Sequence, residues 1–240
     1  MPPSLFEGIR DASEPVSGGE VVAIMGAYFG DTTSVGSYDA SWPGGLTVNG
    51  YFLEVLVNGA AAPMIYAGQR LDDVPSIISG EIVAQLPYLL PSGSTIQLRQ
   101  TSAGGEQCVG NLVSLQTAPV AGALYKNAAG IVNLYDGITY QLVNHVSSGE
   151  WVIFFGWGFG ALTTPVSPGT PAPAEPNSLA ATPRLILNGQ QVTMYYAGAA
   201  PGLVGLYQFN VQLPAVTNGV QPVTLAINGQ PVETFNLTVQ

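Results

Sequence analysis

The chain repeats itself at a constant offset of 130 residues, as from Gly19 to Gly149. The segments that share this offset are Gly19-Glu20 with Gly149-Glu150, Phe29-Gly30 with Phe159-Gly160, Asn58-Gly59 with Asn188-Gly189, and Tyr66-Ala67-Gly68 with Tyr196-Ala197-Gly198. One offset aligns all of these segments, so two copies of one module account for nearly all of the 240 residues. The repeat predicts two domains, residues 1–119 and 120–240, each long enough to bury its own core.

Strict alternation of apolar and polar side chains is the main local pattern. It is clearest from Tyr207 to Leu213, where four apolar side chains fall on one face and three amides on the other. The same alternation occurs at residues 81–86, 95–99, 223–227 and 235–239. A period of two residues indicates β-strands with one buried face and one solvated face.

Asn-Gly dipeptides separate many of these apolar runs. They begin at Asn49, Asn58, Asn188, Asn218 and Asn228. Asn-Gly favours the tight type I′ turn of a β-hairpin, because both central residues of that turn need a positive φ. Each copy therefore predicts about seven short strands joined by tight turns, and the whole chain an all-β fold of two tandem immunoglobulin-like β-sandwich domains.

The composition excludes several classes of partner. Only 8% of the residues are charged, and 15 acidic residues against 5 basic ones give a net charge of −10. The basic residues are scattered, so the sequence offers no patch for nucleic acid or an anionic membrane. No apolar run approaches the roughly 20 residues of a membrane-spanning helix. The hydrophobic content of 47% is too high for a disordered chain.

The start of the chain and its lysine content bear on the compartment. Met1 to Ser4 has neither the basic residues nor the apolar run of a secretory signal peptide. The chain has a single lysine, Lys126, and so low a lysine content is more typical of extracytoplasmic bacterial proteins than of cytosolic enzymes. We expect an extracytoplasmic protein, secreted or on the cell surface, whose signal peptide has been removed. The alternative is a cytosolic protein.

Two segments carry a resemblance to known families. Residues 18–30 (GGEVVAIMGAYFG) resemble the opening of IPT/TIG immunoglobulin-like domains, and residues 196–214 are similar to the C-terminal repeat family of secreted acidobacterial proteins. The first copy keeps Tyr66-Ala67-Gly68 and Gln85-Leu86-Pro87 but lacks the Pro-Gly and Tyr-Gln-x-Asn core of the second. The resemblance implies an immunoglobulin-like fold and an extracytoplasmic location, and it implies no activity.

Few residues offer catalytic or metal-binding chemistry. His145 is the only histidine, so a nucleophile–histidine site has only one place to form. No His/Cys cluster has the spacing of zinc ligands. Asp72-Asp73 is the only adjacent pair of carboxylates, and it is either a Ca²⁺ ligand or part of a solvated turn. The lone Cys108 cannot form an intrachain disulfide, and we expect it to be a small buried residue. We predict neither an enzyme nor a cofactor.

Aromatic residues are the best indication of function. They crowd one strand and the turn after it, at Trp151, Phe154, Phe155, Trp157 and Phe159. Aromatic rings stack on sugars and anchor protein interfaces, but they also fill cores. Alternation makes both faces of residues 151–155 apolar, so we expect this strand to be covered on both sides. The candidate ligand-binding residues are Trp157, Tyr195, Tyr196 and Trp42.

The sequence therefore predicts a monomeric, non-catalytic module with a structural or protein-interaction function outside the cytoplasm. Its partner is a protein or a polysaccharide of the cell envelope. The alternative is a carbohydrate-binding module that uses exposed aromatic residues. Exposure of the four candidate rings distinguishes these functions, because stacking on a sugar requires a ring that is open to solvent.

Overall fold

All regular secondary structure in the described residues is β, in agreement with the predicted fold class. The computed structural model describes residues 6–7, 15–27, 33–34, 37–69, 79–127 and 129–240. Every paired strand in these residues runs antiparallel to its neighbour, apart from two isolated parallel bridges. The candidate calcium ligands Asp72 and Asp73 lie outside the described residues.

The first copy supplies eleven described strands. They are β1 (Phe6–Glu7), β2 (Val21–Ala27), β3 (Thr33–Ser34), β4 (Leu46–Val48), β5 (Tyr51–Val57), β6 (Ala60–Ala62), β7 (Met64–Gln69), β8 (Ser79–Gln85), β9 (Thr95–Thr101), β10 (Gln107–Val109) and β11 (Val113–Ser114).

The second copy supplies nine described strands. They are β12 (Ala123–Leu124), β13 (Leu134–Asp136), β14 (Leu142–Val143), β15 (Trp151–Trp157), β16 (Pro183–Leu187), β17 (Gln190–Ala199), β18 (Tyr207–Gln212), β19 (Gly219–Ile227) and β20 (Gln230–Val239).

Contacts within the chain divide it into two units that are not continuous in sequence. Unit 1 comprises Met1–Pro119 together with two later segments, Val166–Pro171 and Gly202–Gly205. Unit 2 comprises Val120–Pro165, Ala172–Pro201 and Leu206–Gln240. The sequence-based bounds 1–119 and 120–240 stay a prediction about which parts fold independently.

Unit 1 is built from two antiparallel sheets. One has the strand order β1-β2-β8-β7-β3, and the other has the order β10-β9-β5-β4, with β6 and β11 paired beside it. Apolar side chains from both sheets form one buried cluster, which includes Ile24 and Ile82 from the first sheet and Val55 and Leu98 from the second. The shared core makes unit 1 a β-sandwich.

In unit 2 the long strand β17 joins the two halves of the fold. The strand order is β14-β13-β15-β18-β17-β16-β19-β20, and β12 pairs beside β15. Phe154 of β15 contacts Phe235 of β20 with ring centroids 5.5 Å apart, so the two halves pack face to face. In the first copy Pro63 separates β6 from β7, since proline lacks the N–H that a continuous ladder needs.

The two copies share one hydrogen-bonding register. Val21 of β2 pairs with Gln85 of β8, and Trp151 of β15 pairs with Gln212 of β18. The register shifts by one residue between Met64 and Tyr66, and by one residue between Met194 and Tyr196. The repeated acids cap the turns before these strands: Glu20 accepts a hydrogen bond from the Ser17 N–H, and Glu150 accepts one from the Ser147 N–H.

The turn predictions hold at four of the five Asn-Gly dipeptides. Asn49, Asn58, Asn188 and Asn228 all have positive φ, as type I′ turns require. The prediction of a hairpin turn at Asn218 is wrong. Of this pair only Gly219 has a positive φ, and it begins β19 directly after a loop.

The prediction that Cys108 is buried is also wrong. The residue lies in the short strand β10, which pairs with β9 at the end of its sheet, and its thiol is exposed. All three residues of β10 are exposed, so no core forms beneath this strand.

We predict that Gly156→Ala destabilises unit 2. A Cβ at this position would lie 2.8 Å from the Phe159 ring and closer still to the Ala123 carbonyl oxygen. Because β12 cannot move away without losing its pairing with β15, the cost is about 1–3 kcal/mol. Gly104→Ala is the control, because its Cβ would have only the Ser102 hydroxyl within 4 Å, at 3.7 Å. Thermal melts in which both variants match the wild type would contradict this prediction.

Candidate functional site

Unit 2 carries aromatic side chains on the outer face of its β13-β15-β18-β17 strands and at Tyr125, which follows β12 and bonds β15. We call this surface the aromatic face and define it by six residues: Tyr125, Tyr135, Trp151, Phe155, Trp157 and Tyr195. Three ring pairs occur along it: Tyr125 with Trp157 at 5.9 Å, Tyr135 with Phe155 at 5.2 Å, and Trp151 with Tyr195 at 4.3 Å between centroids.

Alternation along β15 places these rings. Val152 and Phe154 point into the core and are buried. Trp151, Ile153 and Phe155 point to the opposite face, where Ile153 is buried and Phe155 is half-buried. The expectation that the strand is covered on both sides thus holds in its middle and fails at Trp151, its first residue.

Trp151 and Tyr195 form the open part of the aromatic face. Their relative exposures are 37% and 56%, and their rings are inclined by 50°. Tyr195 is the extra residue where the register shifts between Met194 and Tyr196. A β-bulge of this kind changes the direction of a side chain. Here it places the Tyr195 ring beside the Trp151 indole.

Gln212 supplies the polar group next to these rings. Its Nε2 donates to the Gly149 carbonyl at 3.1 Å, and its Oε1 accepts from the Tyr195 hydroxyl at 3.2 Å. Both bonds are exposed to solvent. Sequence reasoning missed Trp151 and Gln212 as site residues, because alternation assigns a side chain to a face without showing what covers that face.

The other candidate rings are placed differently. Trp157 is half-buried with its ring against Tyr125. Tyr196 is half-buried, and burial raises the pKa of its phenol. The Tyr196 hydroxyl donates to the Ala199 carbonyl. Trp42 belongs to unit 1, where it is buried and contacts Tyr38 with centroids 5.2 Å apart. Of the four candidates, only Tyr195 presents a largely open ring.

Asn177 fixes the loop that precedes Ser178. Its Oδ1 accepts from the Thr164 N–H at 3.0 Å, and its Nδ2 donates to the Thr164 carbonyl at 2.8 Å. Its own N–H donates to the Tyr196 hydroxyl at 3.3 Å. The strand amides at Gln208 and Asn210 bond to one another at 2.8 Å.

Unit 1 has an equivalent surface that is covered. The shared register places Val21, Ile65 and Gln85 where unit 2 has Trp151, Tyr195 and Gln212. Val21 and Ile65 are buried in a cluster with Trp42 and Val204. We call the positions Val21, Ile65 and Gln85 the covered surface, and Trp151, Tyr195 and Gln212 the open surface.

Two later segments of unit 1, residues 166–171 and 202–205, lie over the covered surface and are held by hydrogen bonds of main-chain N–H groups. The Gly169 N–H donates to Gln85 Oε1 at 2.6 Å, and the Trp42 N–H donates to the Gly169 carbonyl at 2.8 Å. The Val204 N–H donates to the Tyr38 carbonyl at 2.8 Å. Gln85 Nε2 donates to the Gly19 carbonyl at 3.1 Å, as Gln212 does to Gly149 in unit 2.

The described residues offer few groups for acid–base or metal chemistry. His145 is exposed. Within the described ranges, no three His, Cys, Asp or Glu side chains come together as metal ligands. In the same part of the chain there is no helix of the length and apolarity needed to cross a membrane.

Comparisons with known proteins give only distant likenesses. The sequence matches no protein family model and no curated protein. One similar structure is SGBP-B of the Bacteroides ovatus mixed-linkage glucan utilization locus, in complex with a mixed-linkage heptasaccharide, at 10% identity and a TM-score of 0.35. The match covers 94% of this chain and 53% of SGBP-B, so the chain spans about half the length of that protein.

A second similar structure is the C-terminal domain of the antigen I/II-family protein AspA of Streptococcus pyogenes. The identity is 8% and the TM-score is 0.21, with 99% of this chain and 98% of that chain covered. Similarity at these TM-scores carries no argument about a ligand.

We predict that Gln85→Leu and Gln212→Leu differ in their effect on stability. Gln85→Leu leaves the buried Gly169 N–H without its acceptor, at a cost of about 1–3 kcal/mol. Gln212→Leu removes only exposed bonds that water replaces, so we expect a change within about 0.5 kcal/mol. Thermal and urea denaturation of both variants tests this. An equal loss of stability in the two would contradict it.

Proposed function

We propose that the protein is a non-catalytic binding module that takes its ligand on the aromatic face of unit 2. The observation that carries the proposal is the open Trp151–Tyr195 ring pair beside the Gln212 amide. The equivalent apolar positions in unit 1 are buried. The two copies thus share one framework, and a surface that is covered in the first copy is open in the second.

Exposed aromatic rings contribute binding free energy when a ligand covers them. Tyrosine and tryptophan are enriched among the residues that dominate binding energy, because they bury a large apolar area and lose little side-chain entropy. Leu142 adds to the apolar surface, since it pairs with Tyr135 across β13 and β14 and is exposed. A contiguous patch of exposed apolar groups marks an interaction surface more often than scattered single apolar residues do.

The chemistry of the open surface supports binding rather than catalysis. Its functional groups are an indole, a phenol and a carboxamide. The indole and the carboxamide do not exchange protons at neutral pH, so neither can act as a general acid or base. These groups recognise a ligand by apolar contact and neutral hydrogen bonds.

Two ligand classes fit such a surface. A protein partner is the principal candidate, because aromatic anchors beside a hydrogen-bonding amide are typical of protein interfaces. A polysaccharide of the cell envelope is the alternative. It is favoured by the same open rings, since an aromatic ring can stack on a sugar while the Gln212 amide bonds a hydroxyl group.

The proposed setting is outside the cytoplasm, with the protein acting as a monomer. The low lysine content and the resemblance to repeats of secreted proteins support this location. The scarcity of charge also suits recognition of neutral ligands, because few ion pairs are available to steer a charged one.

We predict that Trp151→Ala removes ligand binding while the fold is kept. The wild type is screened on a glycan array and against a peptide display library, and each selected ligand is then titrated. Loss of a central aromatic anchor costs at least about 2 kcal/mol, or roughly 30-fold in affinity.

Tyr51→Ala is the matched control, because Tyr51 is an exposed aromatic residue of unit 1. Its affinity and melting temperature should equal those of the wild type. A selected ligand whose affinity is unchanged by Trp151→Ala would exclude the aromatic face as the binding surface.

A further inference from the structure

The covered surface of unit 1 shows which kind of chain segment can bind at the equivalent open surface of unit 2. The two surfaces occupy the same places in the same register, with a one-residue bulge at Ile65 in one and at Tyr195 in the other. In both, the glutamine Nε2 donates to the carbonyl of the glycine before the central strand at 3.1 Å. The glutamine Oε1 is therefore held in the same place in both units.

The occupant differs between the two. In unit 1 the Oε1 of Gln85 accepts from the main-chain N–H of Gly169, within the segment Val166–Pro171, whose sequence is Val-Ser-Pro-Gly-Thr-Pro. In unit 2, among the described residues, the Oε1 of Gln212 accepts only from the Tyr195 hydroxyl, in an exposed bond. That side-chain bond can be exchanged for a bond from an incoming ligand at little cost.

We propose that the open surface of unit 2 binds a Pro-Gly turn in a peptide segment of a partner protein, as the covered surface of unit 1 holds residues 166–171. In that segment the Thr170 N–H donates to the Ser167 carbonyl at 3.1 Å, which closes a turn around Pro168 and Gly169. The inference rests on the proposed function, since it names the ligand class for the same face. The chain's own segment is not the occupant, because it is already bonded within unit 1.

The chemistry of the open surface matches such a peptide. A Pro-Gly turn forms at low entropic cost, because proline fixes its own φ and glycine adopts the positive φ that the next position needs. Its proline ring can pack on aromatic side chains. Trp151 and Tyr195 stand where unit 1 has Val21 and Ile65, so the open surface offers two rings in place of two aliphatic side chains. The Gln212 Oε1 provides the acceptor for a main-chain N–H.

Glycine is required in this occupant because of its backbone conformation. Gly169 has a φ of +74°, which the residue after proline in such a turn needs and which side chains disfavour. A glycine between proline and a small polar residue lets the main chain come close enough to donate to the glutamine. We expect the same Pro-Gly element in the partner.

The test uses the full chain and a synthetic peptide with the sequence of residues 163–174, Thr-Thr-Pro-Val-Ser-Pro-Gly-Thr-Pro-Ala-Pro-Ala. Binding is followed by shifts of the main-chain and side-chain N–H resonances in NMR spectra. We expect saturable shifts at Trp151, Tyr195 and Gln212. Because the open surface carries no charged group, we expect affinity to be independent of salt.

Two matched changes isolate the proposed contacts. A peptide with N-methylglycine in place of the glycine loses the N–H donor and carries a methyl group there, so it should bind at least about 3- to 10-fold more weakly, the effect of one neutral hydrogen bond. Trp151→Ala should weaken binding roughly 30-fold or more. Tyr51→Ala should leave it unchanged.

The outcomes separate this inference from the proposed function. Shifts confined to residues around Gln85, no binding of the peptide, or equal binding of the N-methylated peptide would overturn the inference. If the peptide fails while an oligosaccharide binds and is lost in Trp151→Ala, the ligand class is wrong and the binding face stands. If no ligand of either class depends on Trp151, both proposals fail.

Discussion

The register of the central strand pair is the constraint on which the other features depend. In β2 with β8, and in β15 with β18, a slip of one residue would exchange the core face for the outer face. Each copy fixes this register at the start of the pair. The Leu86 N–H donates to the Glu20 carbonyl at 2.8 Å, and the Leu213 N–H donates to the Glu150 carbonyl at 2.9 Å.

The turn before each central strand is held by the same few groups. In the first copy the Glu20 carboxylate bonds the Ser17 N–H, and the Gln85 amide bonds the Gly19 carbonyl. The second copy repeats both bonds with Glu150 and Gln212. The residues that repeat most closely are thus those that hold the register, and they leave the outer face free to diverge between the copies.

Much of the fold could be predicted from the sequence because it depends on local patterns. Alternation identified the strands, and Asn-Gly identified four hairpin turns, since both report interactions between residues near one another in the chain. The Asn218 prediction failed because a dipeptide shows that a turn is possible but not that two strands meet there. Cys108 was misplaced because burial of a short end strand depends on what packs beneath it.

The open surface could be predicted only in part. Tyr195 was a candidate from the sequence, whereas Trp151 was expected to be covered, and the candidate Trp42 is buried. Which of these rings is covered depends on main-chain contacts such as Gly169 with Gln85 and Val204 with Tyr38, which join residues more than 80 positions apart. No periodicity within a strand carries that information. The bulge at Tyr195 was also invisible, since the repeat offset is the same on both of its sides.

The composition of unit 1 has a consequence for synthesis of the chain on the ribosome. Its last segment, Gly202–Gly205, is translated about 86 residues after Pro119 (119 to 205), which at roughly 5–20 residues per second takes on the order of 4–17 s. During that interval Trp42, Val21 and Ile65 lack the Val204 side chain that they pack against in the finished protein. The nascent chain therefore passes through a stage with an uncovered apolar surface, a target for chaperones that the completed protein no longer presents.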